Sequence, residues 1–266
     1  LATGGGAIML STPNGTGNLF HKTWVDAAAG GQFVPIKLHW NMHPERDQSW
    51  RDMQTELLGE KMAAQECDCD FITSGHTIVD GPILQWYEQT YVEEPKEKRG
   101  FDSNYWLWDY PNYSTSYIIV ADVARGDGGD YSAFHVIDLK NMVQVAEYKG
   151  KIGTTEYGNM LVAVATEWNN ALLVIENANI GWAVIQVAID SGYENLYYSY
   201  KQDGYVDEDV HLRKGYDLKN KGQKVPGFST TSRTRPLVIS KLETYFRDKT
   251  PVVHSKRLVD ELFTFI

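Results

Sequence analysis

Cysteine, long apolar runs and a phosphate-binding loop are scarce or missing in this sequence, and each absence excludes a class of protein. The only cysteines are Cys67 and Cys69, one residue apart, which excludes a disulfide scaffold and makes a poor zinc site. No stretch approaches the ~20 apolar residues of a membrane span. The motif Gly-x-x-x-x-Gly-Lys-Ser/Thr does not occur, so we expect no ATP hydrolysis by this chain.

Positively charged residues are also fewer than negatively charged ones. The sequence has 25 Lys and Arg residues against 35 Asp and Glu, a formal net charge of −10, which argues weakly against a nucleic-acid partner. The distribution of charge matters more, because a carboxylate site for metal makes a nuclease locally acidic. Basic residues cluster late in the chain, where the candidates for DNA contact are Lys214, Lys221, Lys224, Arg233 and Arg235. A solvated surface loop explains this cluster equally well.

The overall composition is that of a soluble globular protein, with 42% hydrophobic and 23% charged residues. Its 266 residues suffice for one domain and part of a second. The chain begins at Leu1 without an initiator Met or a signal peptide, so we expect it to be part of a longer protein. We predict a partial domain at 1–75, an irregular connector at 76–115 and a main domain at 116–266.

The partial domain has few regular patterns. Residues 7–10 form a strand-like apolar run, which Pro13 and the Asn14-Gly15 pair bring to a turn. Amphipathic spacing predicts helices at 19–29 and 47–65. The connector is rich in Tyr, Trp, Pro and charge without a clear period.

From residue 116 the pattern is that of an α/β domain. Buried strands are expected at 117–121, 131–139 and 142–148, and the short polar break at Lys140-Asn141 predicts a hairpin between the last two. A helix at 154–169, a strand at 171–176, a helix at 180–191, a strand at 196–200 and a helix at 231–248 follow. Three antiparallel strands, then helix, strand, helix and strand, is the order of an RNase H-like mixed sheet flanked by helices.

Two carboxylates stand at the ends of apolar strands. Asp122 follows the run 117–121 and precedes a Gly-rich turn, and Glu176 follows the run 172–175. A turn aspartate that caps backbone amides explains either one alone. The repetition favours a hard divalent cation with oxygen ligands, because burying unpaired carboxylates is unfavourable.

In an RNase H-like sheet the strands that carry Asp122 and Glu176 are neighbours. The pair could therefore share one or two Mg²⁺ or Mn²⁺ ions, the arrangement of two-metal phosphodiester hydrolysis. Asp130 could contribute as a third catalytic carboxylate or orient a water, and ordering of the glycine turn is an equally good explanation for it. His135 lies within an apolar run, where a sheet histidine satisfied by hydrogen bonds is commoner than a metal ligand.

Four segments together resemble the large terminase subunit of tailed phages, particularly of T-even-like phages. They are the sequences at 10–15, 65–71, 122–133 and 175–177, and their order and spacing agree over nearly the whole chain. The resemblance implies that Ser11, Thr12, Pro13, Asn14 and Gly15 belong to a motif that couples ATP hydrolysis to movement, in a partial P-loop ATPase segment. It implies equally that Asp122 and Glu176 belong to the nuclease site that cuts concatemeric viral DNA.

The same resemblance implies partners and a location. These are double-stranded DNA, the portal protein and the small terminase subunit, without a membrane, in the host cytoplasm. Arg233 and Arg235 match the start of a helix where a basic pair could contact phosphate. The family's third nuclease carboxylate follows a helix that resembles 258–263, so we expect it beyond Ile266; Asp260 and Glu261 match the helix before it.

Three other functions compete with a metal-dependent endodeoxyribonuclease. A non-catalytic DNA-binding or motor-docking module would keep the carboxylates without a complete triad. A transposase or junction resolvase has the same carboxylates, and the segment 11–15 argues against it. An actin-like or sugar-kinase ATPase would need a second copy of the motif, which the sequence lacks.

Overall fold

A computed structural model describes residues 6–72, 77–100, 102–126, 128–200 and 224–266 of the chain. The helices are α1 (Leu19–Ala28), α2 (Gln48–Leu58), α3 (Glu60–Ala63), α4 (Gly81–Thr90), α5 (Thr154–Glu167), α6 (Gly181–Asp190), α7 (Thr234–Arg247) and α8 (Lys256–Leu262). The strands are β1 (Glu97–Arg99), β2 (Tyr105–Leu107), β3 (Tyr117–Asp122), β4 (Ser132–Asp138), β5 (Val143–Gly150), β6 (Leu172–Ile175), β7 (Tyr198–Tyr200) and β8 (Lys224–Pro226). No helix in these ranges is long and apolar enough to cross a membrane.

The chain divides into two compact units. The first comprises Leu1–Thr90 with Lys256–Ile266, and the second comprises Tyr91–Ser255. The prediction of separate domains at 1–75 and 116–266, joined by a connector, stays a prediction. Within the connector range, however, the structure contains α4, β1 and β2, so this stretch has regular structure.

The first unit is helical, and side-chain caps fix where its helices begin. Asn18 accepts a hydrogen bond from the His21 amide at the start of α1, and Asp47 accepts one from Trp50 at the start of α2. The single helix predicted at 47–65 is interrupted at Gly59, whose positive φ of 79° ends α2 before the short α3.

The strand predicted at 7–10 is absent from the structure. Residues 7–10 form neither helix nor strand, and Ile8 and Leu10 are 96% and 90% exposed. An apolar run becomes a strand only when a neighbouring strand pairs its backbone groups, and the described residues of the first unit offer none.

The second unit is built on a six-stranded sheet of order β1-β2-β5-β4-β3-β6. β3, β4 and β5 form the predicted antiparallel meander, and β6 lies parallel to β3 on the other side. The connection from β5 to β6 passes through α5, as a parallel pairing requires. This order confirms the RNase H-like mixed sheet predicted from the sequence.

Helices α5 and α6 cover one face of this sheet. Tyr157 and Leu161 of α5 and Ile185 of α6 are fully buried against Ile119 and Leu173 in the core. Alternate residues of β3 and β6 face away from these helices and are partly or well exposed. The burial of one face therefore fixes which face each strand-end side chain occupies.

The predicted fifth strand, at 196–200, joins the sheet for only one residue. Leu196 makes a single parallel bridge to Leu173, and the chain then leaves the sheet so that β7 pairs with β8 in a separate two-stranded sheet. The helix predicted at 231–248 is α7, for which the Thr231 hydroxyl accepts a hydrogen bond from the Thr234 amide.

Candidate metal centre

Asp122 and Glu176 lie side by side at the ends of two adjacent parallel strands. Ala121 of β3 pairs with Ile175 of β6, and the Glu176 amide donates to the Ala121 carbonyl at 3.1 Å. Ala121 and Ile175 are buried beneath α5 and α6. Because side chains alternate along a strand, Asp122 and Glu176 both project from the opposite face. The strand register thus brings the two predicted carboxylates together.

The electrostatics of Asp122 reflect this proximity. Its side chain reaches solvent, yet the atoms packed around the strand end remove enough hydration to raise its pKa. The negative charge of Glu176 raises this pKa further, and the two carboxyl groups are within hydrogen-bonding reach of each other. Donation from the Val123 amide to Asp122 Oδ1, at 2.9 Å, opposes the shift. Two carboxylates this close favour a shared proton or a cation.

An open cleft of about 590 Å³ surrounds the pair. Its lining includes the turn after β3 and the segment between β6 and α6, with the residues Asp122, Val123, Ala124, Arg125, Gly128, Asp130, Tyr131, Glu176, Ala178, Asn179 and Ile180. Asp130 therefore shares the cleft, and its charge contributes to the raised pKa of Asp122. Among the residues that the structure describes, no three His, Cys, Asp or Glu side chains are arranged to hold a metal ion.

Two features hold the turn after Asp122 in place, and sequence reasoning missed both. The buried Ser132 hydroxyl accepts from the Ala124 amide at 3.0 Å and lies 3.3 Å from the Ala124 carbonyl. Gly126 has a φ of +82°, and a Cβ there would overlap the Ile152 carbonyl. The Gly-rich pattern around Gly126 could have indicated this close approach.

The segment after Glu176 has two further supports that the sequence analysis did not identify. Asn177 is buried, donates to the Pro226 carbonyl at 3.1 Å and accepts from the Ser229 hydroxyl at 3.0 Å. Gly181 begins α6 so close to Glu176 that a Cβ would overlap the Glu176 carbonyl oxygen. A polar residue directly after a strand-end carboxylate was the available signal for Asn177.

The predicted basic residues lie elsewhere. Lys224 begins β8, Arg233 precedes α7 and Arg235 lies in its first turn; all three are exposed, and none is among the residues that line the cleft. Lys214 and Lys221 fall outside the described residues. A role for these residues in binding DNA stays a prediction.

His135 has the environment predicted for a sheet histidine. It lies on β4, where its Nδ1 is 2.8 Å from Gln144 Nε2 and 3.6 Å from Glu147 Oε2 of β5. Gln144 also accepts from the His254 and Ser255 amides. His135 therefore belongs to a polar network that fixes the end of the second unit.

The segment 11–15 belongs to the first unit and turns into α1. Thr12 donates to Glu66 Oε1 and accepts from Gln65 Nε2, both at 3.2 Å, and Gly15 has a φ of 70°. Pro13 and Gly15 are buried, whereas Ser11, Thr12 and Asn14 are exposed. Asp260 and Glu261 also lie in this unit, on α8, where Asp260 accepts from Lys256 at 3.0 Å. The ATPase coupling role of 11–15 stays a prediction.

Solved structures of phage large terminases resemble this chain. The large terminase nuclease from thermophilic phage G20c with bound magnesium aligns at a TM-score of 0.47 and 17% identity, over 67% of this chain and 78% of that one. The large terminase nuclease domain of Thermus phage P74-26 aligns at 0.44 and 18%, over 68% and 76%. A large terminase from a thermophilic bacteriophage aligns at 0.40 and 11%, over 95% of this chain and 53% of its own.

No model of a known protein family matches the sequence.

Proposed function

We propose that this chain is the nuclease part of a phage DNA-packaging terminase and that it hydrolyses DNA phosphodiester bonds with a divalent cation. The observation that carries the proposal is the juxtaposition of Asp122 and Glu176 at adjacent strand ends in an open cleft. Burial raises the pKa of Asp122, and the negative charge of the neighbouring Glu176 raises it further, so the ionised pair is unfavourable without a cation. A site arranged in this way favours a ligand of positive charge.

The residues fit Mg²⁺ or Mn²⁺. Asp122, Glu176 and Asp130 offer only carboxylate oxygens, the donors that hard divalent cations prefer. The two cysteines lie in the first unit, so no soft ligand competes within the cleft lining. A cation held by one or two carboxylates keeps several waters in its coordination shell, which leaves room for an oxygen of the substrate.

The three carboxylates have two tasks in this proposal. Asp122 and Glu176 would hold the cation, and Asp130, which also lines the cleft, would orient the attacking water. The cation, when bound, lowers the pKa of a hydrolytic water and neutralises charge that develops on the phosphate. A second ion would be shared by the same pair, and the physiological act would be the cutting of concatemeric viral DNA.

The wider assignments belong to the same proposal. The segment Ser11 to Gly15 would couple an ATPase in a longer protein to movement, and double-stranded DNA, the portal protein and the small terminase subunit would be its partners. The location would be the host cytoplasm. The resemblance of four sequence segments to T-even-like large terminases supports these assignments.

A non-catalytic docking module is the second candidate. It is favoured by the absence, among the described residues, of a complete cluster of three metal-binding side chains. Such a module would bind DNA independently of metal and would not cleave the DNA backbone. Metal-dependent cleavage therefore separates the two functions.

The decisive experiment is nicking of supercoiled plasmid DNA by the whole chain with Mn²⁺, Mg²⁺ or EDTA. We expect slow cleavage without sequence preference, faster in Mn²⁺, because Mn²⁺ tolerates a less regular ligand set than Mg²⁺ does. Asp122→Asn and Glu176→Gln should each abolish it, since both keep the side-chain shape and remove the charge that holds the cation.

Matched controls remove a carboxylate of the second unit outside the cleft. Asp190→Asn at the end of α6 and Glu194→Gln after it should cleave as the parent does, because both side chains are exposed and absent from the cleft lining. Circular dichroism and thermal unfolding should show that all variants are folded. A folded parent that leaves the plasmid intact with both metals would establish the docking module instead.

A further inference from the structure

A lysine pair beside the cleft identifies a path for the DNA backbone, an inference that rests on the nuclease function proposed above. We propose that Lys149 and Lys151, which flank the ring of Tyr131, bind phosphates of the DNA strand that lies in the cleft. The ligand is the backbone of double-stranded DNA, recognised by charge and without base contacts.

The strand register puts this surface in line with the carboxylates. Asp122 of β3 pairs with Ala133 of β4, and Ala133 pairs with Lys149 of β5. Directly paired residues project from the same face of a sheet, so Asp122 and Lys149 share the face from which Glu176 also projects. Lys149 is two strand spacings from Asp122, ~10 Å between the backbones.

Tyr131 connects the two lysines to the cleft. Its ring lines the cleft and is 47% exposed. Lys149 Nζ lies 5.4 Å from the centre of this ring and Lys151 Nζ lies 5.2 Å from it. Both distances are within the range of a cation–π contact, so one aromatic ring orients two ammonium groups at the edge of the cleft.

The two ammonium groups, 5.4 and 5.2 Å from the centre of the Tyr131 ring, place positive charge at the edge of the cleft, and this charge attracts an anion. Lys151 is exposed and Lys149 is partly exposed, so solvent ions and a polyanion can reach both. Successive phosphates of one strand of B-DNA are ~3.4 Å apart along the helix axis. A phosphate at the lysine pair would therefore lie within a few nucleotides of one held at Asp122 and Glu176.

The positive charge of the lysine pair, next to the acidic cleft, gives this pair a function in catalysis. A cleft lined by Asp122, Asp130 and Glu176 repels a polyanion until a cation is bound. Of the charged residues that line the cleft, three are negative and Arg125 is positive, so lysines a short distance along the same sheet face add attraction for the DNA backbone. The lysine pair thus acts as a positioning element, and its contribution is to binding of DNA and to KM more than to kcat.

The test measures DNA affinity without cleavage. Fluorescence anisotropy of a labelled duplex, titrated with the whole chain in Ca²⁺ at several salt concentrations, gives the slope of log K against log salt. Each phosphate contact contributes about 0.9 to this slope, so Lys149→Gln and Lys151→Gln should each lower it by about one and the double variant by about two. Lys151→Arg should retain the parent slope.

The matched control is Lys140→Gln. Lys140 is an exposed lysine at the opposite end of the β4–β5 hairpin, so it loses the same charge away from the cleft. Tyr131→Phe should bind as the parent does because it keeps the ring, whereas Tyr131→Leu should bind more weakly.

Unchanged slopes in Lys149→Gln and Lys151→Gln, or an equal loss in Lys140→Gln, would overturn the proposal. The assay contains no cleavage step, so its outcome is independent of whether the chain cuts DNA. Cleavage by the parent together with unchanged slopes in the lysine variants would leave the nuclease function standing and remove the lysine pair from it.

Discussion

Replacing Gly181 with Ala tests how closely α6 approaches the candidate metal centre. Gly181 is the first residue of α6 and is buried. Helix propensity alone predicts that Ala stabilises a helical position over Gly by up to about 1 kcal/mol. The structure predicts the opposite sign, because the added Cβ would overlap the carbonyl oxygen of Glu176 and lie 3.0 Å from its carbonyl carbon.

The added Cβ would overlap backbone atoms, and this determines how much stability the substitution loses. Real Cβ contacts stay beyond about 3.0 Å, so the start of α6 or the end of β6 would have to move. Extra atoms forced into a packed site typically cost roughly 1–3 kcal/mol, and a backbone obstacle belongs in the upper part of that range. We expect a net loss of about 2 kcal/mol, or about 4–8 °C in the melting temperature of a unit of this size.

Urea unfolding and calorimetry of the metal-free chain measure this loss. Gly129→Ala is the matched control, because a Cβ on Gly129 meets no atom within 4 Å and its φ is not positive. The fraction of Gly181→Ala that folds should also cleave DNA more slowly, since relief of the overlap displaces Glu176. A Gly181→Ala protein as stable as the parent, or more stable, would refute the close approach of α6 to Glu176.

Three further predictions concern stability. In EDTA at neutral pH, Asp122→Asn should raise the melting temperature, because burial and the charge of Glu176 raise the pKa of Asp122 and so disfavour its ionised form. The parent should gain stability as the pH falls through this raised pKa toward 3.8, the ordinary pKa of an aspartate. Asp68→Asn should lower stability by about 2 kcal/mol at pH 7. Hydrogen bonds from Arg51 lower the pKa of Asp68 below its ordinary value of 3.8. The stabilisation by Asp68 is therefore complete above pH 3.8 and is lost as the pH falls through the lowered pKa. Thermal melts at several pH values would reveal this loss. Asn177→Leu should lose about 1–3 kcal/mol in urea unfolding, since two hydrogen-bonding groups lose their buried partner.

Local pattern was sufficient to predict the centre of the second unit. The strands β3, β4 and β5 have apolar runs separated by short polar turns, and α5 has apolar residues at helical spacing. Asp122 and Glu176 are predicted to be neighbours because both follow such runs and because the first and fourth strands of an RNase H-like sheet lie side by side. In the structure, the pairing of Ala121 with Ile175 places Asp122 and Glu176 at adjacent strand ends.

Tertiary contacts decided what the sequence could not. β1 and β2 have three residues each and form because β2 pairs with the edge of β5, where the Tyr105 hydroxyl also accepts from Trp168 Nε1 of the segment after α5. The apolar run at 7–10 is the opposite case. Its pattern favours a strand, but no strand among the described residues pairs with it. Lys149 was not among the predicted DNA contacts because only pairing across two strands aligns it with Asp122.

The parallel pairing of β3 with β6 has a consequence for the kinetics of folding. The meander of β3, β4 and β5 consists of contacts between neighbours in the chain, whereas β6 docks only after the chain has crossed over through α5. Closing this longer loop is slower than forming the hairpins. We therefore expect Asp122 and Glu176 to meet at a late step of folding, against their mutual repulsion. A cation that binds the completed pair should leave the folding rate nearly unchanged and slow unfolding, so that metal would protect the native protein kinetically.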